Sequence, residues 1–330
     1  MLLMGEQHAA LQGELDAELG GVERCFAREL HSDLACVNEL TVHLEKYRGK
    51  MLRPTLLLMS AKAARPERPV TQEQRVLAAV VEMVHMATLV HDDVLDESDV
   101  RRRARTINRL RGNEAAVMLG DYLISHAYHL CSGIGSQRAA RLIAHTTNTV
   151  CEGELLQLSN RTNWSLDEAT YTEIIRRKTA ALCGVSCRLG ATSAGADVPV
   201  VAALEVYGER VGTAFQIIDD VLDLTGDPDV VGKSLGKDLE KGKLTLPLIR
   251  HLSAAAEPRR REILGLLTSG GERGAREIVT RLREGDGIDY ARGRAESIIA
   301  DARQSLAVLP ESPARELLAH MAEAVLTRRL

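Results

Sequence analysis

The sequence predicts an all-α protein, and three observations carry that reading. Ala, Leu, Glu and Arg dominate its 330 residues, while β-branched runs with period two are scarce. In "QRVLAAVVEMVHMATLVHDDVLD", Gln74 to Asp96, apolar residues recur at three- and four-residue spacing for more than five turns. That is too long for a strand and too often broken by polar residues for a membrane span. Short Gly- and Pro-containing breakers then separate one such pattern from the next.

The Gln74–Asp96 helix follows the breaker Arg65-Pro66 to Pro69. Glu114 to Cys131 repeats the pattern and stops before Gly133 to Gly135; Gln137 to Leu158 and Leu166 to Ala194 follow, closed by Asp197 to Pro199. Val200 to Leu224 ends at Gly226-Asp227-Pro228. Lys243 to Ala256 and Arg260 to Leu267 precede Ser269-Gly270-Gly271, and Arg273 to Arg283 and Asp289 to Val308 run on to Pro310 to Pro313. No long linker or low-complexity tract interrupts them, so residues 1–330 read as one large helical domain.

The chain is 45% hydrophobic and 27% charged, the composition of a globular protein with a sizeable core. A net charge of -4 excludes a general nucleic-acid binder, whose footprint is basic. Cys25, Cys36, Cys131, Cys151, Cys183 and Cys187 form no C-x-x-C pair and read as reduced thiols in a cytoplasmic protein. No stretch of eighteen uninterrupted apolar residues and no signal-type leader is found. The final "TRRL" reads as a solvated tail.

Against that ordinary background, "VHDDVLDESDVRRR" gathers five acidic residues and then three arginines, Arg101 to Arg103, within the length of two to three helical turns. A second acidic cluster lies in "FQIIDDVLDLTGD". Asp92-Asp93-x-x-Asp96 and Asp219-Asp220-x-x-Asp223 share both spacing and filling, and each ends an apolar helix. Residues four apart lie on one helical face, so Asp92 stacks below Asp96 and Asp219 below Asp223. Stacked carboxylates repel, and the helix dipole disfavours anions at a C-terminus, so stability alone does not select the arrangement. A hard divalent cation, Mg²⁺, resolves the conflict when shared with phosphate oxygens. His85, seven residues before Asp92, and Gln216, three before Asp219, occupy the same faces as their aspartates.

With "YRGKMLRP", "GDYL", "RRKTAAL" and "GKSLGKDLEKGKLTLPLI", these motifs make a sequence that resembles the trans-isoprenyl diphosphate synthases, the polyprenyl synthetase family, and among them the bacterial long-chain enzymes. The resemblance implies a single antiparallel helical bundle around a deep central cavity, Mg²⁺ as cofactor, and a homodimer. It implies condensation of isopentenyl diphosphate with an allylic diphosphate. Asp92, Asp93, Asp96, Asp219, Asp220 and Asp223 are then the metal-binding acids. Arg101, Lys178, Thr179, Gln216, Lys233 and Lys243 hold the allylic diphosphate, with Lys178, Thr179 and Gln216 nearest the chemistry. Lys50, Arg53, His85 and Arg102 bind isopentenyl diphosphate.

In this family the side chains below the first motif set product length. Here Ala87 and Thr88 are small where short-chain enzymes often carry aromatics, which favours a long product, with Val84 the alternative residue that could close the floor. The alternatives are a short-chain farnesyl or geranylgeranyl diphosphate synthase, a subunit of a heteromeric synthase, or a terpene cyclase. Cyclases steer cations with aromatic faces, and this chain is only 3% aromatic. A long product would bring transient membrane contact at release.

Overall fold

The computed structural model describes residues 6–47, 49–102, 104–225, 236–269 and 271–328. They are almost entirely helical, as predicted. Helices α1 (Glu6–Glu29), α2 (Ala35–Leu44) and α3 (Leu52–Ala64) precede α4 (Gln72–Leu95), the long apolar helix of the sequence. A two-residue-per-strand hairpin, β1 (Val100–Arg101) with β2 (Ala104–Arg105), leads into α5 (Ile107–Arg111), α6 (Asn113–Gly133) and α7 (Gln137–Ser159). Next come α8 (Glu168–Ile175), a π-helical turn over Arg176–Ala180, α9 (Ala181–Ser193) and α10 (Val198–Thr225). Then follow α11 (Lys237–Glu240), α12 (Leu246–Ala254), α13 (Glu257–Ser269), α14 (Gly271–Glu284), α15 (Gly287–Ser305) and α16 (Pro313–Leu326).

Local chemistry sets the ends of α4. Thr71 and Gln74 form a reciprocal capping box: Thr71 Oγ1 accepts from the Gln74 N–H at 3.3 Å, and Gln74 Oε1 accepts from the Thr71 N–H at 2.9 Å. The helix stops at the first aspartate motif, where the Asp96 N–H still donates to the Asp92 carbonyl at 2.8 Å. Arg101 and Arg102, which follow, are not helical. They sit on the hairpin, with Arg102 in the left-handed region at φ 49°.

Two further readings shift. The pattern over Leu166 to Ala194 is not one uniform α-helix, because the π-turn interrupts it. The Lys243 to Ala256 helix begins only at Leu246, after Thr245 takes an extended N-cap conformation. Helices α1, α2, α3 and α16 lie outside the segments marked by periodicity.

Contacts gather into two compact units. The first takes the chain to Thr147 with Leu182–Gly208 and Leu306–Ala319; the second takes Asn148–Ala181, Glu209–Ser305 and the chain from His320. In the first unit α4 is the centre, packed by α1, α3 and α6. Leu77, Val80, Val81, Met83, Met86 and Val90 are buried along it, each worth about 1.5–3 kcal/mol of transfer free energy. The backbones of α3 and α9 meet directly: a Cβ at Gly190 would stand 2.1 Å from the Leu57 carbonyl oxygen. In the second unit α12 and α15 pack with comparable closeness, since a Cβ at Gly287 would stand 2.3 Å from the Pro247 carbonyl oxygen. Among the described residues no helix is long and apolar enough to cross a membrane.

Candidate active site

The first aspartate motif divides by helical geometry. Asp92 and Asp96 share one partly exposed face of α4, whereas Asp93 turns inward and is 1% exposed. There it receives Arg101: Nε lies 3.0 and 3.1 Å from the two carboxylate oxygens and Nη2 lies 2.9 Å from Oδ1. This charge-assisted fork ties the hairpin back to the helix end. Asp93 and Arg101 thus spend much of their charge on each other.

Arg102, at the tip of the same hairpin, reaches the first basic motif. A Cβ at Gly49 would stand 2.3 Å from Arg102 Nη2, so the guanidinium lies directly over this glycine. On α3, Arg53 Nε is buried without a hydrogen-bond partner among the described residues, an unmet donor of the sort a bound anion satisfies. Burial, and then the charges of Arg53, Arg101 and Arg102, push the His85 imidazole well below its ordinary value and keep it neutral. Arg53, His85 and Arg102 are therefore brought together, as a cation-rich group with one neutral donor, while Lys50 is exposed next to Gly49.

Below the motif, the aspartate face of α4 continues through Thr88 and His85, both partly exposed. Thr88 Oγ1 donates to the His85 carbonyl at 2.7 Å. Val84 and Ala87, at 1% and 0% exposure, are packed on all sides instead.

The second motif belongs to the other unit. Asp220 is buried and accepts from the Tyr171 hydroxyl at 2.6 Å and from Gln216 Nε2 at 2.9 Å, while Thr179 Oγ1 donates to Gln216 Oε1 at 2.9 Å. This chain of hydrogen bonds runs from the π-turn across to α10. Asp223 accepts from the Asp238 N–H at 3.4 Å. Burial, and then the Asp238 charge, push the Asp223 carboxyl up to about 7, and the same two causes raise Asp220 well above its usual range. Crowded, half-dry carboxylates of this sort fit a divalent cation with oxygen ligands.

Asp219 is more open, at 47% side-chain exposure, and lies 3.5 Å from Arg328 Nη1. The Arg328 guanidinium also lies 3.9 Å above the Phe215 ring, so that part of "TRRL" packs on the second motif rather than trailing in solvent.

Lys178 is presented by the π-turn, a distortion frequent at functional sites. Its ammonium contacts Gln157 Oε1 at 2.9 Å and the Glu154 carboxylate of α7. A cavity of about 90 Å³ lies against Gln157, Tyr171, Lys178, Thr179, Gln216, Asp220, Asp238 and Lys243. Lys243 is buried, and its N–H donates to the Asp238 carbonyl at 2.8 Å. Lys233 and Arg103 lie outside the described residues.

Sequence reasoning missed Tyr171, Asp238, Glu154 and Gln157. Each left a signal: Tyr171 stands seven residues before Lys178 on one helical face, Asp238 is an acid inside a basic loop, and Glu154 and Gln157 are three apart in the "EGELLQL" segment of α7.

The Polyprenyl synthetase family matches residues 35–282. The chain is 34% identical to the octaprenyl diphosphate synthase of Escherichia coli (strain K12), over 96% of this chain and 97% of that one. It is also 34% identical to heptaprenyl diphosphate synthase component 2 of Geobacillus stearothermophilus, over 95% and 96%. A crystal structure of a polyprenyl synthase from Caulobacter crescentus, complexed with calcium and isoprenyl diphosphate, superposes with a TM-score of 0.89 at 34% identity, covering 96% of this chain and 98% of that one. Both aspartate motifs and both cation groups fall inside the matched span, and the chain belongs to the polyprenyl synthetase family.

Proposed function

We propose that the protein is a cytoplasmic, Mg²⁺-dependent trans-polyprenyl diphosphate synthase that condenses isopentenyl diphosphate with an allylic diphosphate and extends it to a long chain. The observation that carries this reading is the pairing of acids with cations around one cavity of the second unit. Asp220 and Asp238 line the same cavity as Lys178 and Lys243, which serves a metal diphosphate and no bare helix end.

Asp92 and Asp96 of the first unit and Asp219 and Asp223 of the second are the acids we assign to Mg²⁺; Asp93 and Asp220 brace the two motifs through Arg101 and through Tyr171 and Gln216. When bound, Mg²⁺ supplies charge neutralisation for the leaving diphosphate. Arg101, Lys178, Lys233 and Lys243 add fixed positive charge at the same group, and Thr179 with Gln216 orients it. Lys50, Arg53, Arg102 and neutral His85 hold isopentenyl diphosphate so that its double bond faces the allylic carbon. The C–O bond breaks with its electron pair leaving on diphosphate, the double bond attacks the cation to form the new C–C bond, and a proton passes to the released diphosphate. We read residues 1–330 as a single polyprenyl synthetase domain.

The small Thr88 on the aspartate face supports a long product, in line with the octaprenyl and heptaprenyl names of the two relatives. The exposed apolar residues Val117, Met118 and Tyr128 of α6 offer a face for a second copy, which supports a homodimer. The Geobacillus relative is named as one component of its synthase, which favours a second reading in which a partner subunit is required.

The test is to incubate the purified protein with Mg²⁺, farnesyl diphosphate and labelled isopentenyl diphosphate and to size the dephosphorylated products. A ladder ending at a long prenol is expected. A stop at geranylgeraniol assigns the short-chain alternative. No incorporation with any allylic primer, with or without a partner subunit, overturns the reading.

A further inference from the structure

Outside the aspartate motifs, the first unit brings two histidines and a glutamate to one point. Glu29 is the last residue of α1, and His126 and His129 stand three apart on α6, hence on one face. His126 Nδ1 lies 2.9 Å and His129 Nδ1 2.7 Å from the same oxygen, Glu29 Oε1. All three ligand atoms lie within 4.8 Å of one another, the single group of its kind among the described residues.

We propose that Glu29, His126 and His129 form a second metal site, selective for a transition metal of the Zn²⁺ class and chemically distinct from the Mg²⁺ positions. Two imidazole nitrogens and one carboxylate oxygen are ligands Zn²⁺ accepts and Mg²⁺ does not favour. The geometry needs little change. Tetrahedral Zn²⁺ with bonds of about 2.0–2.1 Å sets its ligands about 3.3 Å apart, so the two contacts open by roughly 0.5 Å on loading. His129, at 76% side-chain exposure, is free to make that adjustment, and its open side leaves a fourth position for water. Glu29 is only 14% exposed and His126 26%, so the inner two ligands are held in place. The Tyr122 ring packs on His126 at 4.2 Å between centroids and donates its hydroxyl to the Leu30 carbonyl at 3.4 Å, which fixes the imidazole from behind. A bound ion would staple the last turn of α1 to α6.

The full-length protein, in excess Mg²⁺ to occupy the aspartates, is titrated with Zn²⁺ by calorimetry and with Co²⁺ by visible absorption. One equivalent of Zn²⁺ bound despite Mg²⁺, a tetrahedral Co²⁺ spectrum, and a rise in Tm with Zn²⁺ are expected. His129→Gln and Glu29→Gln each weaken Zn²⁺ binding on the order of tenfold to a hundredfold or more and abolish the Tm rise, with Mg²⁺-dependent turnover unchanged. His129→Gln alters an exposed side chain, so it reports on the site even if Glu29→Gln fails to fold. Zn²⁺ binding that is equal in wild type and His129→Gln, or that excess Mg²⁺ removes, overturns the proposal and leaves a hydrogen-bonded clamp.

Discussion

Gly153→Ala perturbs the support of Lys178 without touching a charged residue. A Cβ at position 153 of α7 would stand 2.6 Å from the Lys178 amide nitrogen and 2.7 Å from Arg177 Cβ, against ordinary contact beginning at 3.4 Å. The difference between 3.4 and 2.6 Å, about 0.8 Å, must be found by moving α7 away from the π-turn, because the obstacle is backbone. Two stability effects oppose each other. Alanine is favoured over glycine inside a helix by about 0.8–1 kcal/mol, while overpacking costs about 1–3 kcal/mol. The net is a loss of about 0–2 kcal/mol. Activity has no such offset. A displacement near 1 Å at a positioning group costs on the order of 10²-fold, so kcat/KM for isopentenyl diphosphate incorporation falls by about that factor. Gly293→Ala in α15 is the control, because nothing lies within 4 Å of its added Cβ. That variant gains about 0.8–1 kcal/mol in urea unfolding and keeps full turnover. A Gly153→Ala protein with wild-type kcat/KM and the same stability gain as the control would refute the close-approach reasoning.

Thr88→Phe shortens the prenol ladder while the first condensation persists, since Thr88, unlike Ala87, is partly exposed and lies on the aspartate face. Ala87→Phe, placed where exposure is 0%, instead costs about 1–3 kcal/mol by overpacking; product sizing that assigns the shortening to Ala87→Phe alone would reverse this reading. Tyr171→Phe deletes the 2.6 Å hydrogen bond to buried Asp220 and lowers stability by about 1–3 kcal/mol, with turnover falling too; a wild-type urea midpoint contradicts it. Glu173 is held down to about 2, chiefly by its hydrogen bond from Arg176, which is the sign of an acid whose ionised form favours the folded state. Its contribution is therefore present above the unfolded carboxylate range and is lost as pH falls toward the folded value of about 2. Because the side chain is 38% exposed, screening leaves roughly 0.5–1 kcal/mol, so Glu173→Gln is less stable by that amount at neutral pH. The gap closes in acid; a gap that widens there would exclude the pairing as its cause.

Periodicity was enough for the core helices, because α4, α6, α7 and α10 bury one face against neighbours and must repeat apolar residues at helical spacing. It was weaker where local distortion matters. The π-turn at Arg176–Ala180 leaves no mark in the apolar pattern, since one residue per turn of extra winding is decided by what packs against it, here Gly153 of α7. Helix α3 escaped for a different reason: nearly all of it from Pro54 to Ala64 is buried, so it shows no polar face to set a period.

The site divides in the same way. The two D-D-x-x-D motifs were legible because like charges stacked on one helical face are unfavourable without a cation, and that conflict is visible in spacing alone. Which aspartate does what was not legible. Asp93 and Asp220 turn inward, to Arg101 and to Tyr171 with Gln216, while Asp92, Asp96 and Asp219 remain partly exposed. By itself the sequence determined the helical class, the acids, the cations and the family resemblance, since these depend on residue type and short spacing. Only the tertiary structure decided which carboxylates are buried, that Arg102 lies over Gly49, that Arg328 packs on Phe215, and that Glu29 meets His126 and His129. Those facts join residues far apart in the chain, and no local pattern encodes a distance that only the packing of separate helices creates.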